Sequence, residues 1–69
     1  MTVIEMKLLV RSVITIFAMP FAIVSVVASA AGWNVMVRAG TGDIVRFNIL
    51  ADEPDTMRGA VRRRLQAEL

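Results

Sequence analysis

The sequence predicts a mainly α fold: a single-pass transmembrane helix, kinked near Pro20, then a short β-hairpin or extended arm, then a C-terminal amphipathic helix. Three observations point there. Ser12 to Val37 runs for 26 residues without one ionisable side chain. After Gly32 the apolar residues change from a helical to an alternating period. From Asp52 onward an acidic start, Pro54 and a basic end read as a helix. The parts divide as 1–32, containing the span over 12–32, then 33–51, then 52–69.

The first helix is expected to start before the span. Thr2 and Glu5 make the T-x-x-E pattern of a capping box, in which each residue satisfies the other's backbone amide. Glu5 also suits the positive end of a helix. Lys7 and Arg11 follow among apolar residues and can snorkel toward water as interface anchors.

Ser12 to Gly32 then supplies the roughly 20 apolar residues that a bilayer core about 30 Å thick requires. Its hydroxyls, on Ser12, Thr15, Ser25 and Ser29, can bond to carbonyls one turn back. Pro20 removes one backbone bond and clashes with the carbonyl of Ile16, which predicts the kink. Thr15, Ala18, Ala22, Ser25, Ser29 and Gly32 recur at spacings of three and four. On a helix they form one stripe of small residues, a face on which another membrane helix can pack closely. Trp33, just after the span, reads as an anchor at the membrane–water interface.

The same stretch supports a second reading. Lys7 and Arg11 resemble the charged region of a secretory signal, Val13 to Val27 its apolar region, and Ala28-Ser29-Ala30 its cleavage site. Residues 1–30 would then leave a secreted or periplasmic peptide of 39 residues. The apolar run is at or beyond the length of such a region, about 7–15 residues, which favours a retained anchor.

From Trp33 the period is two. Trp33, Val35 and Val37 alternate with Asn34, Met36 and Arg38, and Val45, Phe47 and Ile49 alternate with Arg46, Asn48 and Leu50. A glycine-rich turn separates the runs, as in a hairpin. Gly40-Thr41-Gly42 lacks the lysine and following hydroxyl of a phosphate loop, so it reads as a turn.

In the last segment Met57, Val61 and Leu65 form a narrow apolar row, and Arg58, Arg62, Arg63 and Arg64 occupy much of the remaining surface. These arginines fit a solvated face, or contacts to anionic headgroups or an acidic partner surface. Nucleic acid is not expected, because the net charge is only +2 and stacking aromatics are lacking.

With no cysteine there is no disulfide framework or thiolate metal site, and with no histidine the usual general base is missing. No catalytic, metal or cofactor-binding residues are assigned, and no cofactor is expected to be bound by side-chain ligation, although lipid contacts are. The expected function is that of a non-catalytic accessory or assembly subunit of a larger integral membrane complex. Other transmembrane subunits and membrane lipids are its expected partners, with hetero-oligomers favoured over homo-oligomers. The expected location is a bacterial inner membrane or its equivalent, with the N-terminus cytoplasmic and the C-terminus outside. A self-assembling membrane protein, such as a pore former or fibre subunit, is the third reading.

Overall fold

The first helix begins on a closed capping box. In the computed structural model, which describes residues 1–69, α1 spans Val3–Ile16. The Glu5 amide donates to the Thr2 hydroxyl at 3.2 Å, and the Thr2 amide donates to the Glu5 carboxylate at 2.9 Å. Two amides that the helix leaves without partners are thereby satisfied.

The helix stops four residues short of Pro20. Phe17 is its C-cap, and Ala18 takes a left-handed conformation at φ 49°. The Ala18 amide donates to the Thr15 carbonyl at 3.2 Å, and the Met19 amide donates to the Ile14 carbonyl at 2.9 Å. This pair of bonds is a Schellman ending, here with alanine at the position glycine usually holds. Met19, which precedes proline and is therefore pushed out of the helical region, turns inward and is buried.

The chain then folds as a three-stranded antiparallel meander. The strands are β1 (Phe21–Ser29), β2 (Gly32–Ala39) and β3 (Ile44–Leu50), in the order β1-β2-β3. Ala30 and Ala31 make the turn between β1 and β2, where Ser29 faces Gly32. Gly40 to Asp43 makes the second turn, with Gly42 at φ 95° supplying the left-handed position. β1 carries a bulge between Ile23 and Ser25. α2 (Pro54–Gln66) closes the chain, with Pro54 in its first turn.

Both helices lie on one face of the sheet, α1 against β1 and α2 against β3, and they touch each other. From α1 come Met6, Leu9, Val10 and Val13; from α2 come Met57, Val61 and Leu65. The sheet contributes Phe21, Val26, Trp33, Val35, Val37, Phe47 and Ile49, and Met19 completes a core of 15 side chains. No polar or charged side chain is buried. At one corner the Arg62 guanidinium lies 4.4 Å from the centre of the Phe17 ring, joining the end of α1 to α2.

This α+β architecture overturns the expected fold class. No helix is long and apolar enough to cross a membrane. The 14 residues of α1 reach about 21 Å at 1.5 Å each, against a bilayer core of about 30 Å. The membrane-spanning helix over 12–32, the single-pass membrane character and the integral-membrane location with its topology are therefore corrected together. The uncharged stretch instead ends α1, forms all of β1 and enters β2. Pro20 does not kink a continuous helix; it follows the helix ending and leads into a strand. Nor do the six small residues share one helix face. Thr15 lies in the last turn of α1, Ala18 in the turn after it, Ala22, Ser25 and Ser29 in β1, and Gly32 at the start of β2.

Candidate interaction edges

Trp33 is no interface anchor: it is 8 % exposed, on the inner face of β2 between Ala28 and Ile49. Lys7 and Arg11 are exposed on α1. On α2, Arg58 pairs with Asp55 at 2.8 Å, one turn away. Arg62 lies over Phe17, and Arg64 sits 5.6 Å from the Phe47 ring. Three of the four arginines thus have contacts within the chain. Exposed pairs of this kind contribute little to stability, ~0–1 kcal/mol.

Gly32 serves packing. A methyl group there would lie 2.8 Å from the Ala51 nitrogen and 2.9 Å from the Leu50 α-carbon, so the central strand can approach β3 only without a side chain.

The outer face of the sheet is uncovered. Its rows are Ala22, Arg38 and Ile44; then Ser25, Met36 and Arg46; then Val27, Asn34 and Asn48. The Asn48 side-chain amide donates to the Asn34 side-chain oxygen Oδ1 at 2.9 Å and to the Ser29 hydroxyl at 3.3 Å, linking all three strands. Such a half-polar face is ordinary for an antiparallel sheet open on one side.

The two sheet edges differ sharply. β1 forms one edge, and none of its nine residues is charged. Val24 and Val27 are 46 % and 55 % exposed there. On α1, which covers β1, Ile4 and Leu8 are 72 % and 57 % exposed. An edge strand presents unpaired amides and carbonyls to any strand that meets it, and proteins commonly guard such edges with lysine, proline or inward charge. β1 has none of these guards; only its bulge interrupts the edge. β3 forms the other edge and carries Arg46, with Arg63 and Arg64 of α2 beside it.

No group of three or more His, Cys, Asp and Glu side chains could hold a metal ion. The titration of Glu5 is displaced. The Thr2 amide, and then the Thr2 hydroxyl, hold its carboxyl below the usual range. This is a capping effect at a helix start.

The small-residue stripe drew attention to Ala22, Ser25 and Ser29, three of the residues on the outer face of β1, but as parts of a helix. Val24 is not singled out by the sequence, Val27 only as the end of a signal-type apolar region, and Arg46 only as an alternating residue of the second β-prone run. The usable signal was that residues 21–29 contain no charge while 44–50 do. Comparison with family models, with curated proteins and with solved structures found no match.

Proposed function

We propose that this chain is a non-catalytic assembly module that joins a second copy of itself through the free edge of β1. The observation that carries this reading is the nine-residue, uncharged edge strand with its outward Val24 and Val27. Two such edges meeting antiparallel extend two three-stranded sheets into one of six strands. Backbone hydrogen bonds supply the affinity and alternate side chains the register.

Charge favours β1 over β3 for self-association. Around a two-fold axis each edge meets its own copy. β1 brings neutral residues together, whereas β3 would set Arg46 near another Arg46. Because α1 lies over β1, the same pairing draws the two α1 helices together and gives Ile4 and Leu8 apolar surface to cover.

The fold also weighs against release of residues 31–69 as a separate peptide. Removing 1–30 would take away Met6, Leu9, Val10, Val13, Met19, Phe21 and Val26, seven of the 15 core side chains. The non-catalytic reading rests on composition, with neither histidine nor cysteine in the chain, and on a wholly apolar core.

Light scattering coupled to size exclusion tests the proposal. The expected mass is twice 7.6 kDa at micromolar concentration, falling to 7.6 kDa for Val27→Lys with unchanged circular dichroism. A wild-type monomer at all concentrations would refute it. So would a ladder of growing polymers, which would mean β1 pairing with β3 of the next copy in an open chain.

A further inference from the structure

We infer that the groove between the β3 edge and α2 accepts an extended acidic peptide as an added strand. This site lies on the opposite edge from β1 and does not depend on self-association. The β3 edge faces no strand, because β3 pairs only with β2. Seven residues of β3 offer an edge about 24 Å long.

Along Asn48–Leu50, α2 turns this edge into a groove of about 380 Å³. Ile49, Leu50, Met57 and Ala60 make its apolar part, and Arg63 and Arg64 stand on its rim. Ala60 and Thr56 are the small side chains that leave room beside the strand. An incoming strand would alternate its side chains between two environments. One set would enter the groove beside Arg63 and Arg64. The other would lie on the open face beside Arg46, which is exposed and points away from the helices.

Charge identifies the occupant. Arg46, Arg63 and Arg64 are exposed, and none of them is within ion-pair distance of a carboxylate. Carboxylates on either face of an added strand would therefore meet an arginine, and guanidinium pairs well with carboxylate in two-point geometry. The groove also sets limits on where those carboxylates sit. Asp52 lies at the Leu50 end, and Glu68 lies beyond the opposite end, near Asp43 and Val45. The acidic residues of the peptide therefore belong at its centre. Lysine at the same positions would be repelled.

The probe is a synthetic peptide of about ten residues that alternates valine with glutamate at its centre. Its lysine-for-glutamate counterpart and a proline-interrupted version are the controls. Binding to the full chain is followed by amide chemical shifts and by titration at low salt. The expected result is shift changes along Ile44–Leu50 and α2, with β1 unaffected. Binding should weaken about tenfold in the Arg63→Gln, Arg64→Gln double variant, and neither control should bind. Both arginines are exposed, so the double variant should keep its fold; Arg64→Lys, which retains the charge but not the planar fork, should fall between wild type and Arg64→Gln.

Shifts confined to β1, equal binding of the lysine peptide, binding unchanged in the double variant, or no binding at millimolar peptide would each overturn the inference. The β1 variant Val27→Lys separates the two claims. It should abolish self-association and leave peptide binding intact.

Discussion

Replacing Ala18 by glycine should stabilise this protein, which is the opposite of what a continuous helix would show. Ala18 sits at φ 49°, in the left-handed region, as the residue that ends α1. A side chain in that region costs about 1–2 kcal/mol. Glycine removes that strain but loses more freedom on folding, about 0.4–1 kcal/mol. The difference is a net gain of about 0.5–1 kcal/mol. For a domain of this size that raises the midpoint of thermal unfolding by roughly 3–6 °C. The two Schellman bonds, Ala18 to Thr15 and Met19 to Ile14, need only backbone atoms and survive the change. The assay is reversible thermal unfolding followed by circular dichroism and by the fluorescence of Trp33, which moves from a buried to a solvated setting. Inside a helix glycine instead costs about 1 kcal/mol relative to alanine. A loss of that size would refute the helix ending at Phe17 and the strand that follows it.

Further expectations follow from individual contacts. Gly32→Ala should cost about 2–3 kcal/mol in denaturant titration, because its methyl would meet the β3 backbone rather than a movable side chain; a neutral result would contradict the close approach of β2 and β3. Arg62→Ala should lose about 0.5–1 kcal/mol through the Phe17 contact, measured by thermal unfolding against a Phe17→Leu, Arg62→Ala double variant. Thr2→Ala should cost about 1 kcal/mol as the capping box opens. Glu5 adds a pH dependence of definite sign. Its folded-state pKa is depressed, so its contribution is present above the unfolded-state pKa and disappears as pH falls through the lowered folded value. Glu5→Gln should flatten that acidic limb, and an unaltered limb would show that the carboxylate is not held by Thr2.

Legibility in the sequence varied with how well local pattern matched the final environment. Thr2 and Glu5 specify the start of α1 because a capping box is local chemistry, complete within four residues. Trp33, Val35 and Val37 alternate in sequence and lie on the buried face of β2, where one face is packed and the other open. β1 was hidden for three reasons. Its outward positions, Ala22, Val24 and Val27, are apolar too, so hydropathy sees a continuous run. Its bulge shifts the phase, placing the buried residues at Phe21 and Val26 with Ile23 between, spacings of two and three that break the alternation of a regular strand. And the Ala30-Ala31 turn carries no Asn-Gly or other hairpin signal, since neither residue takes positive φ. Pro20 was ambiguous by itself, because proline inside an apolar run can mark a kinked helix or a helix stop. Ala18 decides between them, and an alanine in a left-handed turn leaves no mark in the sequence. The arginines of α2 were visible as a charged face, and the Asp55–Arg58 pair is local, one turn apart, but Phe17 and Phe47 as neighbours of Arg62 and Arg64 depend on tertiary packing.

The assembly role requires β1 to be an edge that another copy completes, and backbone hydrogen exchange reads that edge directly. In a free edge strand only the amides facing β2 are protected. In the assembled sheet the outward amides of Phe21–Ser29 gain protection as well. Exchange measured residue by residue at about 10 µM and about 500 µM should therefore show slowing that grows with concentration at alternate residues of β1, and none at β3. Outward amides of β1 that exchange at one rate across that range would contradict the assembly role.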